Sequence, residues 1–274
     1  MTTAHTATAG GHPPHREEGR PAVVVTDLDG TLLRSDGGVS PRTAGALRAA
    51  AEAGTRIVYA TARPAWSARA AVAAVAVEAT IISSNGAVVS DAATGRTLRV
   101  RAMDPARVRA AIAALRALGP GTVWAADRQH DRLLSPAWPG LLASTGTHVV
   151  HTERVPDGEP VLCLMVTGGP DDPGAALRAL PELQWTSSQP GLLEVSDAGA
   201  DKLSALDWVL AKEGLTRADV LAFGDGENDL ALLKAAGYGV AMANACRPLL
   251  DIADETTLGH DEDGVAHCLE TRFR

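Results

Sequence analysis

The residues best suited to chemistry lie in Val23-Val24-Val25-Thr26-Asp27-Leu28-Asp29-Gly30-Thr31, where a β-branched run ends in two carboxylates one residue apart. Such a run reads as a buried strand of a parallel sheet. Side chains alternate along a strand, so positions 27 and 29 can converge where it ends. Two close anions repel unless a cation, a proton or a phosphate-bearing ligand makes use of them. One carboxylate can then attack phosphorus while the other shuttles a proton. A turn or helix-capping aspartate is the plainer alternative.

Three more clusters carry suitable groups. Thr61-Ala62-Arg63 follows a second apolar stretch. Its hydroxyl and backbone N–H groups can hold a phosphate, helped by the next helix N-terminus, and Arg63 can clamp an anion. A simple N-cap and a solvent-facing arginine are the alternatives. Lys202 opens a helix, where a cation opposes the dipole and so hints at an anionic partner. Gly224-Asp225-Gly226-Glu227-Asn228-Asp229 gathers oxygen-bearing side chains that suit a hard cation such as Mg²⁺. The spacing does not fit an EF-hand loop.

The elements around these clusters place them at strand ends. Ser40-Pro41 is an N-cap followed by proline at the first helical position, and the Ala-rich helix stops at Gly54. Strands are predicted at 55–61 and 80–84, with a helix starting near Pro64 between them. The repeat implies an α/β fold, a Rossmann-like parallel sheet with helices on both faces, whose ligands bind beyond the strand C-termini. The rhythm then changes. A hairpin (87–90 with 97–101), helices at 105–118 and 173–180 and a strand at 161–167 suggest an inserted α+β cap over 87–187. Ser187-Ser188-Gln189-Pro190-Gly191 reads as the linker back. The helix 201–213, the strand 219–223, the helix 230–236 and the strand 238–242 resume the first pattern, so the core takes 22–86 and 188–274.

Bulk properties narrow the partners. A net charge of −8 argues against a nucleic-acid backbone. Three scattered cysteines give neither a disulfide framework nor a Cys-x-x-Cys site, which fits buried thiols in the reducing cytoplasm. No apolar run is long enough to span a bilayer. Residues 1–21 are polar and lack a signal-peptide apolar region, so they read as a disordered, solvated tail despite His5, His12 and His15. Oligomeric state is not legible.

Taken in order, Asp27-Leu28-Asp29-Gly30-Thr31, Thr61, Lys202 and Gly224 to Asp229 resemble the four motifs of the haloacid dehalogenase superfamily. The stretches Ser83 to Ala87 and Gly239 to Ala245 resemble its Cof-like, type IIB branch, which carries a large α+β cap between the second and third motifs. The resemblance covers about 22–274. It implies a Mg²⁺-dependent phosphatase acting on a small phosphorylated metabolite. Asp27 would be the nucleophile and Asp29 the acid and base. Thr61, Ala62, Arg63, Lys202 and Asn228 would hold the phosphoryl group. Asp27, the Asp29 carbonyl, Asp225 and Asp229 would hold the metal.

Two positions depart from the pattern: Ala62 and Leu203 stand where relatives often have glycine, and a methyl at 62 can crowd a phosphate. A phosphomutase, a phospho-aspartate signalling switch and an inactive binding protein are the rival readings. Substrate choice is expected in the cap. There Trp124, Asp127, Arg128, His130, Asp131 and Arg132 read first as a solvated hairpin and second as a group reaching the site.

Overall fold

The valine run forms the centre of the molecule. In the computed structural model, which describes residues 20–139, 148–189 and 191–273, β1 (Val23–Thr26) pairs in parallel with β2 (Arg56–Ala60) on one side and β12 (Val220–Gly224) on the other. Its alternation feeds two helical layers. Val24 joins Leu47, Phe223 and Leu269 under α1 (Pro41–Glu52) and α8 (Gly264–Arg272). Val23 and Val25 join Leu206, Leu210 and Leu232 under α5 (Lys202–Lys212) and α6 (Leu230–Ala235). Burying each valine side chain stabilises the fold by roughly 1.5–3 kcal/mol. This explains a strand with no polar face. Ser40 caps α1 as the sequence suggests, accepting the Thr43 N–H at 3.0 Å.

The core sheet runs β14-β13-β12-β1-β2-β3-β4-β5, with β3 at Ala79–Ser83, β4 at Val88–Asp91, β5 at Thr97–Val100, β13 at Tyr238–Ala241 and β14 at Glu255–Thr256. The strands from β14 to β3 are parallel, whereas β3-β4-β5 is antiparallel. A second, six-stranded sheet runs β10-β11-β9-β6-β7-β8. Its strands are Leu183–Gln189, Leu192–Asp197, Cys163–Thr167, Val123–Asp127, Arg132–Leu134 and Val149–His151 in that order. α3 (Pro105–Leu118) and α4 (Pro173–Leu177) cover one of its faces through Leu115, Trp124, Leu164 and Leu177. The opposite face carries Ala125, Leu134, Trp138, Met165 and Leu192.

The sheets divide the chain differently from the sequence reading. The hairpin over 88–100 belongs to the core sheet, although 87 was expected to open the insert. Of the stretch expected to lead back to the core, Pro190 lies outside the described residues and 187–189 instead end β10, which pairs with β11 from Leu183 with Asp197 to Gln189 with Leu192. Turn-forming composition marks a reversal, but only strand pairing shows which sheet the next strand joins. The chain passes between the sheets near 101–104 and 198–201. Residues 1–19, including His5, His12 and His15, lie outside the described residues. Among the described residues, no helix is long and apolar enough to cross a membrane.

Candidate active site

Asp27 sits just past β1 and is 6 % exposed. Leu28 turns the other way into the core, and its carbonyl accepts N–H bonds from Leu32 and Leu33, at 3.0 and 2.8 Å. This tight turn needs Gly30, which has φ +77°. A Cβ there would lie 2.3 Å from Asp225 Oδ2. Gly30→Ala is therefore expected to push the Asp225 carboxylate aside and lower kcat/KM for p-nitrophenyl phosphate by about 10²-fold. Parallel melting curves separate this loss from unfolding.

Lys202 joins the first and fourth clusters. Its Nζ donates to Asp27 Oδ1 and to Asp229 Oδ1, each at 2.7 Å, and its side chain is 2 % exposed. The unfavourable position at a helix start is thereby resolved. Asp201 caps α5 by accepting the Ser204 N–H at 2.8 Å, while the lysine reaches into the site. Burial pulls the Lys202 ammonium down, but Asp229 and Asp27 outweigh it and hold it above the ordinary lysine range. Burial, with the charges of Asp229 and Asp225, pushes Asp27 up to about 8 against the pull of Lys202. Burial also raises Asp225 to about 6, opposed by a 2.9 Å hydrogen bond from Thr31 Oγ1.

Carboxylate oxygens of Asp27, Asp225 and Asp229 lie within 4.8 Å of one another. With all three carboxylates ionised around one ammonium, the local charge is −2, which explains why burial and mutual repulsion hold Asp27 and Asp225 up. A hard divalent cation with oxygen ligands matches that deficit and donor set. Asp229 is fully buried, and its Oδ2 also accepts the backbone N–H groups of Asp225 and Gly226, both at 3.2 Å.

The second cluster arrives differently from expectation. Thr61 is buried and accepts the Arg63 N–H at 3.1 Å, and Ala62 lines the opening. The Arg63 guanidinium engages Asp29 with both arms, Nε to Oδ2 at 2.8 Å and Nη2 to Oδ1 at 2.6 Å. The Asp29 side chain is 57 % exposed. Arg63 thus holds the expected acid-base residue in an ion pair, a partner the sequence did not suggest.

Asn228 donates to Asn85 Oδ1 at 3.2 Å, and Asn85 donates to Glu194 Oε2 of β11 at 2.8 Å. This relay ties the fourth cluster to the second sheet. Asn85 has φ +51° after Ser84 at +48°. Gly86 permits the turn, because a Cβ there would lie 2.2 Å from the Asp201 carbonyl oxygen. Backbone strain of this kind gathers at functional sites.

A cavity of about 520 Å³ opens between the sheets, reaching from Asp27, Asp29, Thr61 and Asp225 to Arg132, Met165 and Glu194. The expected solvated hairpin is exposed only around its tip, while its arms are buried. Trp124 packs under α3, and Asp127 and Arg132 are buried. Arg132 pairs with Asp127, Nε to Oδ1 at 2.5 Å and Nη2 to Oδ2 at 2.9 Å. Arg128 is tied to Asp131, and His130 is exposed. Of these six residues, Arg132 alone lines the cavity. Strand alternation points these charges inward, a preference that a general rule of loop exposure overrode. Asn85, Glu194, Trp66, Trp138, Met165 and Leu192 were missed as site residues. Glu194 within Leu192-Leu193-Glu194-Val195 is the signal that was available, an acid interrupting an apolar strand.

Strand-end carboxylates, a buried lysine between them and a second sheet over the opening define a capped α/β enzyme. The sequence pattern of the haloacid dehalogenase-like hydrolases matches residues 24–269. A 5-amino-6-(5-phospho-D-ribitylamino)uracil phosphatase of Bacillus subtilis is 28 % identical over 262 residues, covering 93 % of this chain and 96 % of the relative. An HMP-PP phosphatase of Serratia proteamaculans is 29 % identical over 270 residues, covering 90 % and 94 %. The solved structure of SMU.1108c from Streptococcus mutans shares the fold with a TM-score of 0.81, at 24 % identity over 92 % of this chain and 98 % of that one. The chain belongs to the haloacid dehalogenase-like hydrolases, in their Cof-like phosphatase branch.

Proposed function

We propose that the protein is a Mg²⁺-dependent phosphatase that hydrolyses a small organic phosphate monoester through an aspartyl-phosphate at residue 27. The observation that carries this reading is the buried Asp27–Lys202–Asp229 contact at the end of β1, opening into the cavity. The relatives named for phosphorylated metabolites support the substrate class. The free cysteines support a reducing, cytoplasmic setting. The sheet membership supports a cap of about 102–199 inserted in a core of 20–101 and 200–273.

In the first step an Asp27 carboxylate oxygen attacks phosphorus, and the bond to the leaving oxygen breaks. Asp29, freed from Arg63 and protonated from solvent before the step, gives that oxygen its proton. In the second step Asp29 takes a proton from water as the water oxygen attacks phosphorus, which releases phosphate and restores Asp27. Splitting hydrolysis in two lowers each barrier. Lys202 holds Asp27 in position and offsets its charge, while Thr61 and Asn228 donate to the phosphoryl oxygens. Asp27, the Asp29 carbonyl, Asp225 and Asp229 would hold Mg²⁺, which supplies charge neutralisation at the phosphoryl oxygens.

Metal removal tests the reading. Dialysis against EDTA is expected to cut hydrolysis of p-nitrophenyl phosphate at least about 100-fold, and added Mg²⁺ to restore it. Undiminished activity in EDTA would count against the assigned donors. Sugar phosphate offered to the enzyme is expected to yield free phosphate, not an isomer, which separates the phosphatase from a mutase.

A further inference from the structure

We propose that the far half of the cavity selects phosphate esters whose leaving group is a planar ring, neutral or cationic, and rejects leaving groups that carry a second anion. The inference rests on the phosphatase reading and concerns which alcohol is released. The face of the second sheet opposite α3 and α4 supplies Met165 and Leu192, with Trp138 beside them, and Trp66 of α2 (Ala65–Val72) closes the wall from the core. Trp66 is held flat by a stack on His148, ring centres 4.8 Å apart and planes 12° from parallel.

Such a wall favours a flat, weakly polar group. The hydroxyls of an open-chain polyol would lose water there and meet few donors or acceptors. The indole N–H groups of Trp66 and Trp138 are buried without a hydrogen-bond partner among the described residues. A ring nitrogen or oxygen brought close by a small shift of either indole would satisfy them.

Charge supplies the second half of the argument. Among the described residues, Arg132 and Arg63 are the cations lining the cavity, and each is engaged with both arms by an aspartate. Glu194 is 6 % exposed and lines the same wall. Asp127, Arg132 and Glu194 together carry a charge of −1. A carboxylate or second phosphate on the leaving group would meet that negative wall in a poorly solvated space, which disfavours it.

The test compares kcat/KM of the native protein, with Mg²⁺, on four probes. Acetyl phosphate reports phosphoryl transfer with a minimal leaving group. Pyridoxine 5′-phosphate carries a ring, sorbitol 6-phosphate is an open polyol, and 3-phosphoglycerate has a second anion. Pyridoxine 5′-phosphate is expected to exceed sorbitol 6-phosphate at least about tenfold, and 3-phosphoglycerate by more. Trp138→Ala is expected to lower the pyridoxine phosphate to acetyl phosphate ratio at least about tenfold. Glu194→Gln, which keeps an acceptor for Asn85, is expected to raise the 3-phosphoglycerate to acetyl phosphate ratio. The native ranking decides by itself if a variant fails to fold. Equal or better use of sorbitol 6-phosphate or 3-phosphoglycerate, with acetyl phosphate hydrolysed, overturns the specificity inference alone. Failure to hydrolyse any of the four probes overturns the phosphatase reading with it.

Discussion

Asp27→Asn is expected to lower turnover at least about 10³-fold while leaving the melting temperature unchanged or higher. In the proposed mechanism the carboxylate is the nucleophile, and the amide that replaces it attacks phosphorus poorly. The same carboxylate is a burden on the fold. It is buried beside Asp225 and Asp229, and the one lysine in contact with it is shared with Asp229. An asparagine oxygen still accepts from Lys202 at the same place, and one of the mutually repelling charges is gone. Catalytic groups commonly oppose stability in this way. Thermal melts alongside p-nitrophenyl phosphate assays check both halves. A variant that unfolds would assign Asp27 a structural role, and a fully active one would remove it from the chemistry.

Lys202→Met should damage fold and activity together. Its ammonium is the bridge between two carboxylates that are almost wholly withdrawn from water, with side-chain exposures of 8 % for Asp27 and 0 % for Asp229. Removing one partner of a buried ionic group costs about 3–5 kcal/mol, because the remaining charges are left uncompensated. Hydrolysis is expected to fall at least about 10²-fold as Asp27 loses its positioning contact. Added Mg²⁺ is expected to recover part of the stability and little of the rate, since a cation binding the native state stabilises it by mass action. Denaturant titrations with and without Mg²⁺ measure this. A stability loss under about 1 kcal/mol would show that the carboxylates do not depend on the lysine.

The contrast between these variants shows what the sequence made legible. Asp27, Lys202 and Asp225 to Asp229 were readable because each follows an apolar strand or opens a helix, and an open parallel sheet gathers such positions at one edge. The helix starts at Ser40-Pro41 and Asp104-Pro105 were legible because capping is local chemistry. Pairing between distant segments was not. Nothing within Ser187 to Gly191 tells whether the chain turns back into the same sheet or leaves it. Arg63 could be read as an anion clamp, but its engagement with Asp29 depends on two loops meeting. Glu194 and Asn85 lie 109 positions apart and meet only because one sheet folds over the edge of the other. Arg132 was misread as solvated because its partner Asp127 faces it across a hairpin, a register set by tertiary pairing.

Chemical trapping at residue 27 tests the central claim most directly. Protein quenched during turnover of a phosphate ester with Mg²⁺ is reduced with borohydride, which converts an aspartyl-phosphate to homoserine, and digested for peptide mass mapping. Homoserine at position 27, present only with substrate and absent in Asp27→Asn, is the expected result. Steady hydrolysis with an unaltered aspartate at 27, or with the modification on another side chain, would contradict the account.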